Sequence, residues 1–256
     1  MALIKLMRSD LLKMKHTPYY YIHIIVPIIA AIVAMAYFNN IQSDGVGRAY
    51  GFLEIISMGF PLIIAVVCSM VTEREALAGK FKDMLSSRYG KLQCLLSKLL
   101  VLLISGFISF SLSCAMYYIG FKYVLGKDMV GISSFMKVSL IVFAAMIVIY
   151  ILHLWLSICF GSGASITIGV IESVMAALLI TALGDGIWHL IPCAWGIRFN
   201  QNYFLINYQS KYTASVAMNQ IVISNSDAVR NCIIVTLLVG IFLAVWFNYF
   251  EGRGEV

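Results

Sequence analysis

The residues from Ser139 to Phe160 read SLIVFAAMIVIYILHLWLSICF, without a single Asp, Glu, Lys or Arg. A helix needs about twenty apolar residues to cross a hydrocarbon layer roughly 30 Å thick, and this run is long enough. A single open segment satisfies its own backbone hydrogen bonds in lipid only as a helix. The stretch therefore predicts a transmembrane helix and, with it, a membrane protein.

Five further apolar runs surround this one. They cover about residues 19–38, 52–72, 95–120, 166–183 and 231–250. The chain is 61% hydrophobic and 12% charged, with a mean hydropathy of +0.92, whereas soluble domains are about 45–50% apolar and roughly 25% charged. The sequence predicts one all-α integral membrane domain, residues 1–256, with six transmembrane helices.

The distribution of Lys and Arg predicts the orientation. If the N-terminus is cytoplasmic, the short inner segments receive Lys5, Arg8, Lys13, Lys15, Arg74, Lys80, Lys82, Arg88, Lys91, Lys98 and Arg253. The longer outer segments keep Arg48, Lys122, Lys127, Lys137, Arg198, Lys211 and Arg230. Basic residues are denser inside, as the positive-inside rule requires, so both termini are expected in the cytoplasm. The net charge of +6 then reflects topology and anionic lipid, and we expect no nucleic-acid partner.

Processing signals and metal motifs are weak in this sequence. Ala34-Met35-Ala36 resembles a signal-peptidase site, but the apolar run before it exceeds the usual 7–15 residues, so we expect it to be retained as the first span. The six cysteines contain no C-x-x-C pair, and the four histidines form no H-E-x-x-H motif. We expect neither a structural disulfide nor a bound metal.

The first 17 residues predict an amphipathic helix. Apolar residues recur at helical spacing at Leu3, Ile4, Met7, Leu11 and Met14, whereas Lys5, Arg8, Asp10, Lys13 and Lys15 occupy the other face. This pattern is typical of a helix that lies in the membrane interface. The alternative is an ordinary basic tail that only sets topology. Pro18 marks the break before the first span.

Residues 73–98 form the most charged stretch, on the expected cytoplasmic side. Glu73-Arg74-Glu75 follows Thr72 directly, and we expect Thr72 to cap a new helix that begins with acidic residues. The apolar side chains Leu77, Phe81, Met84 and Leu85 then fall on one helical face. Such a helix can dock into a groove on a cytosolic partner. The alternative is a solvated loop.

Residues 184–230 form a long external segment rich in aromatic residues. They include Trp188, Trp195, Tyr203, Phe204, Tyr208 and Tyr212. One interpretation is a segment that dips back into the membrane under the protection of the other helices. The other is an aromatic belt at the membrane surface.

Glu172 is a carboxylate inside the fifth apolar run. A charged side chain at mid-span costs about 2.5–3.5 kcal/mol on insertion scales, so Glu172 should face protein or water. It either lines a cavity that attracts a cationic substrate or makes a packing hydrogen bond. A secondary transporter usually has several intramembrane charges, and this chain offers mainly Glu172. An intramembrane enzyme needs a convergent set of catalytic side chains in the spans, and none is visible in the sequence.

No phosphate-binding loop is present, because Gly161-Ser162-Gly163 lacks the following lysine. Any ATP chemistry must therefore reside in another chain. This chain is not expected to be an enzyme or to bind a cofactor itself.

Two loose motifs resemble the lantibiotic-immunity permeases of the ABC-2 class. They are Glu73-Arg74-Glu75-x3-Gly79-x-Phe81 and Trp188-x3-Pro192-x2-Trp195-x2-Arg198. The resemblance implies an exporter that expels a lantibiotic or similar cationic peptide from the plasma membrane of a Gram-positive bacterium. It also implies two partners, namely an ATP-binding subunit that holds ATP and Mg²⁺ and a second, related permease. The alternative within this class is another amphipathic substrate.

The same resemblance assigns roles to particular residues. It implies that about residues 73–87 form the coupling helix that contacts the ATPase, with Glu73, Arg74, Glu75, Leu77, Gly79, Phe81, Met84 and Leu85 at the contact. Glu172, Trp188 and Trp195 are candidates for the substrate pathway.

Overall fold

The computed structural model describes residues 2–208 and 215–252, which contain ten α-helices. They are α1 (Ala2–Lys13), α2 (Tyr19–Asn40), α3 (Gly45–Leu77), α4 (Lys82–Leu85), α5 (Lys91–Ile119), α6 (Ile132–Ala145), α7 (Ile147–Phe160), α8 (Ser162–Leu179), α9 (Pro192–Tyr208) and α10 (Ser215–Tyr249). Lys211, Tyr212 and Arg253, which entered the sequence predictions, lie outside the described residues.

Six stretches of helix are long and apolar enough to cross a membrane. They are Tyr19–Asn40, Gly45–Leu77, Lys91–Val124, Ile132–Phe160, Ser162–Leu179 and Met218–Tyr249. The third adds a π-helical turn, Gly120–Val124, to α5, and the fourth joins α6 to α7 across a bend at Met146. The predicted all-α, six-span fold is confirmed.

Several helices extend further than the apolar runs. The helix of the second span, α3, continues beyond residue 72 to Leu77, because Glu, Arg, Ala and Leu are all good helix formers. Thr72 therefore caps no helix, and its hydroxyl donates instead to the Cys68 carbonyl, 3.1 Å away, within α3. Likewise α10 begins at Ser215, well before the predicted start of the last span at residue 231.

Local signals mark where several helices begin and end. Asp44 caps α3 by accepting a hydrogen bond from the Gly47 amide over 2.7 Å. Between α7 and α8 the chain turns at a single residue, Gly161, whose φ is 90°. That conformation is open to glycine at little steric cost.

The interior is built around α3. In the most apolar window of each span, α3 is 56% buried and α6–α7 is 61% buried, whereas α10 is only 11% buried. Gly169 of α8 lets that helix approach closely, because a Cβ there would lie 2.5 Å from the Ala65 Cβ of α3. The second and fourth spans therefore form the core, and the sixth lies at its edge.

The bundle has two distinct ends. One end, called the α1 end here, gathers α1, the last turn of α3, α4, the first turns of α5 and the last turn of α10. The opposite end, called the α9 end, gathers α9, the start of α3 and the loop from residue 125 to 131. The two predicted site regions thus lie at opposite ends.

Candidate functional site

At the α1 end, a buried lysine on α5 joins two acids from other helices. The Lys98 Nζ lies 2.8 Å from Asp10 Oδ1 of α1 and 2.8 Å from Glu75 Oε1 of α3. The Ser97 hydroxyl donates to the second oxygen of Asp10 over 2.5 Å. Lys98 and Glu75 are each only 1% exposed. Because an unpaired buried charge is costly, each of these groups depends on the others for its stability.

Lys13 extends this contact to the predicted coupling segment. Its Nζ lies 2.9 Å from Glu75 Oε1 and 3.3 Å from Asp83 Oδ2 of α4. Partial burial lowers the pKa of Lys13, but hydrogen bonds and attraction from Glu75 and Asp83 outweigh it, so the pKa is raised overall. The six residues Asp10, Lys13, Glu75, Asp83, Ser97 and Lys98 are called the charge network below.

One buried carboxylate oxygen of the charge network makes no hydrogen bond to the described residues. Glu75 Oε2 is buried and has no hydrogen-bond partner among the described residues, because Lys13 and Lys98 both use Oε1. Glu75 is thus the shared acceptor through which α1 and α5 hold the end of α3. This role was not predicted, because Lys98 was counted with the charges of the cytoplasmic segment 73–98.

The segment after α3 is a tight turn followed by a single helical turn. Gly79, Lys80 and Phe81 have φ values of 148°, 53° and 68°, a left-handed stretch that ends α3. Phe81 then turns inward and packs edge-on against Phe250, with ring centroids 5.6 Å apart. The predicted coupling helix is therefore not continuous, because the chain reverses between Leu77 and Lys82.

The eight predicted contact residues fall into three groups by burial. Glu75, Phe81 and Met84 are buried inside the chain and are not available to a partner, whereas Leu85 and Gly79 are half-buried. Glu73, Arg74 and Leu77 remain exposed, and Leu77 is 77% exposed. The predicted single apolar face does not exist. A smaller surface remains around Leu77.

Several basic side chains of the α1 end are exposed. They are Arg74, which lies one turn before Leu77 on α3, Lys82 and Arg88. Lys91 donates to the carbonyls of Asn248 and Phe250, over 3.1 and 2.9 Å. It thereby caps the last turn of α10, where a cation is favoured by the helix dipole.

At the α9 end, Arg198 closes the end of α8. Its guanidinium donates to the carbonyls of Leu179 and Thr181 over 2.6 and 2.7 Å and pairs with Asp185 over 2.9 Å. Trp195 lies one turn earlier on α9, is completely buried and donates to the His189 carbonyl over 3.1 Å.

Trp188 is also buried, against Phe199. Because both tryptophans are buried, they are not part of an aromatic belt that faces lipid. They hold α9 inside the bundle.

Glu172 makes a defined contact inside the bundle. Its Oε2 lies 2.9 Å from Nε2 of His153 on α7, and Nδ1 of His153 lies 2.9 Å from the Ser165 hydroxyl. His153 is fully buried, and the Glu172 side chain is 16% exposed. The geometry favours the packing alternative, in which Glu172 joins α8 to α7. Sequence analysis overlooked a second carboxylate within a span, the half-buried Glu54 of α3.

Over residues 2–208 and 215–252, no group of three His, Cys, Asp or Glu side chains is placed to hold a metal ion. The charged groups of the charge network are instead paired with one another. What the arrangement provides is a mechanical link between α1, α3, α4 and α5.

Comparison with known proteins identifies one family. The model of a family described as ABC-2 family transporter protein matches residues 6–184. That range includes most of α1, the first five spans and the whole charge network. Neither the curated proteins nor the solved structures gave a significant match.

Proposed function

This chain belongs to the ABC-2 family of transporter proteins, and from that membership we propose that it is the membrane subunit of an ABC exporter that removes a lantibiotic or similar cationic peptide from the membrane. The family and the six spans support a membrane transport component. The peptide substrate, and a role in immunity or resistance, rest on the sequence resemblance to lantibiotic-immunity permeases.

The ATP-binding subunit, in this proposal, docks at the α1 end. The observation that carries it is the charge network, because it connects an exposed surface directly to the core helix α3. A displacement of Leu77 or Arg74 by the partner moves the last turn of α3. Glu75 in that turn forms ion pairs with Lys13 of α1 and Lys98 of α5. ATP and Mg²⁺ are held by the partner, and their binding energy shifts the exposure of the substrate pathway.

The remaining partners and the orientation follow from the same proposal. ATP is cytoplasmic, so the α1 end and both termini face the cytoplasm, in agreement with the dense Lys and Arg there. A second, related permease completes the pathway. The contacts of Glu172, Trp188 and Trp195 are internal to this chain, so the peptide is expected between two permeases and not along these side chains.

A pair of matched leucine variants tests the docking surface. Leu77 at the α1 end and Leu183 at the α9 end are similarly exposed, at 77% and 71%. Tagged wild type, Leu77→Asp and Leu183→Asp are each co-expressed with the ATP-binding subunits encoded nearest to the gene, and the purified chain is assayed for bound ATPase. We expect Leu77→Asp to lose the ATPase and Leu183→Asp to retain it. Equal recovery with both variants would exclude this surface.

The substrate is tested separately. Cells that carry the complete transporter are exposed to cationic lantibiotics and, in parallel, to uncharged amphipathic compounds. Protection against the lantibiotics alone supports peptide export. Protection against the uncharged compounds alone supports the alternative ABC-2 exporter of another amphipathic substrate.

A further inference from the structure

A lipid-facing groove runs between the third and fourth spans. It has a volume of about 300 Å³ and is lined almost wholly by apolar side chains of α5 and α6, among them Phe107, Cys114, Tyr118, Ile132, Phe135 and Met136. This volume is at the lower end of pockets that bind small molecules. In a bilayer such a groove is filled by something apolar.

A lysine lies at the end of this groove that is nearest the α9 end. Lys122 follows Tyr118, which lines the groove, by one turn. It is exposed, and within the described residues it has no carboxylate at ion-pair distance. Asp128 attracts Lys122 without forming an ion pair with it. Lys122 belongs to a candidate span, where a cation needs water or an anion.

The structure holds the Lys122 ammonium beside the groove. Its Nζ donates to the Tyr118 hydroxyl over 3.2 Å and lies 5.4 Å from the centre of the same ring. That hydroxyl donates in turn to the Val130 carbonyl over 3.0 Å. Tyr118, which lines the groove, therefore holds the Lys122 ammonium at the end of the groove.

The start of α6 adds to the positive potential at this place. Its first residue, Ile132, lines the groove, and Gly131 before it provides no side-chain cap. The first amides of a helix carry a partial positive charge and favour anions. An apolar channel with a cationic mouth is complementary to a molecule with an anionic head and an acyl tail.

We propose that this groove is a binding site for an anionic glycerophospholipid, with one acyl chain between α5 and α6 and the phosphate beside Lys122. The Lys122 stem lies along the apolar wall while its ammonium group reaches the headgroup level. This site is at the opposite end from the proposed ATPase surface, and its existence does not depend on the substrate.

Native mass spectrometry of the detergent-solubilised chain tests the proposal with two probes, dioleoylphosphatidylglycerol and dioleoylphosphatidylcholine. We expect wild type to prefer phosphatidylglycerol. Lys122 should contribute about fivefold to that preference, the ratio that corresponds to about 1 kcal/mol per basic residue. Lys122→Gln should therefore remove this fivefold preference and leave phosphatidylcholine binding unchanged.

Two further variants complete the experiment. Lys127→Gln is the matched control, because Lys127 lies in the same region but donates to the Asn39 carbonyl over 2.8 Å. It should retain the preference. Ala115→Trp fills the groove and should reduce the binding of both lipids. Ala115→Leu replaces it if the tryptophan variant melts earlier than wild type.

Three results would overturn the site. They are an equal loss of preference in Lys127→Gln, an unchanged preference in Lys122→Gln, and full lipid binding by a groove-filled variant of normal stability. Dimers that dissociate on filling the groove would assign it to a second protein chain instead.

Discussion

The Lys98 ammonium lies 2.8 Å from the Asp10 carboxylate, although the two residues are 88 positions apart in the chain. This contact joins α1 to the third span. Amphipathic character alone would let α1 lie anywhere on the membrane surface. The buried pair instead fixes it against α5, beside the end of α3.

Replacing Lys98 with methionine should strongly destabilise the protein. Methionine preserves most of the apolar stem of lysine but leaves Asp10 without its cation, and Glu75 then retains only Lys13. Removing one partner of a buried ion pair costs about 3–5 kcal/mol of unfolding free energy. Thermal unfolding in detergent, followed by tryptophan fluorescence, measures the effect.

Lys82→Met is the control for this change. Lys82 is exposed on α4, and surface substitutions usually alter the unfolding free energy by no more than about 0.5 kcal/mol. Equal melting temperatures for the two variants would show that Lys98 is not held by the contacts described here.

Above neutral pH, the Lys13 contact should weaken only in the alkaline range. Its pKa is raised in the folded protein, above an unfolded value of about 10.4. The charged form therefore stabilises the fold fully below the unfolded pKa, and this contribution is lost as pH rises through the folded pKa.

Comparing wild type with Lys13→Gln between pH 7 and 11 checks this dependence. The difference in unfolding temperature should stay constant to about pH 10 and then disappear. A difference that already falls between pH 7 and 9 would contradict the assignment to Lys13.

Hydropathy predicted the number and type of the spans, because each must cross the same apolar layer. It did not predict where the helices end. The helix α3 continues to Leu77 through charged residues, and α10 begins 16 residues before the apolar run that starts at residue 231. Both extensions depend on helix propensity and tertiary contacts, which hydropathy does not report.

The candidate site was less predictable. The segment after residue 72 was singled out by its charge, and Phe81 and Met84 were predicted on a partner surface but are buried in the structure. Their positions depend on the left-handed turn at Lys80 and Phe81, which a helical pattern does not anticipate. The partners of Lys98 come from helices distant in sequence, so spacing gave no signal for them.

Gly184→Ala should loosen the α9 end. A Cβ at residue 184 would lie 2.8 Å from the Arg198 Nη2 and closer still to the Leu179 carbonyl. These are two groups of the Arg198 cap on α8, so the methyl group must push the guanidinium away. We expect a loss of about 1–3 kcal/mol of unfolding free energy, the usual cost of overpacking.

Gly163→Ala is the matched control, since nothing lies within 4 Å of a Cβ at that position of α8. It should be neutral or slightly stabilising, because alanine restricts the unfolded chain. The proposed Arg198 cap would be contradicted if both glycine variants melted at the wild-type temperature.

Two variants of Glu172 distinguish a packing role of this side chain from a role in substrate binding. In Glu172→Gln the amide can still hydrogen-bond His153, but the charge is gone, whereas Glu172→Leu leaves the buried Nε2 of His153 without this partner. We expect the leucine variant to lose about 1–3 kcal/mol of unfolding free energy and the glutamine variant to lose much less. Membrane abundance and thermal unfolding are measured for both.

Peptide resistance then distinguishes the two roles of Glu172. If Glu172 joins α8 to α7, resistance should follow abundance, and Glu172→Gln should protect cells as well as wild type does. If the carboxylate attracts a cationic peptide, Glu172→Gln should lose resistance at normal abundance. The 2.9 Å contact with a fully buried histidine leads us to expect the first result, because a side chain already paired inside the bundle is poorly placed to bind substrate.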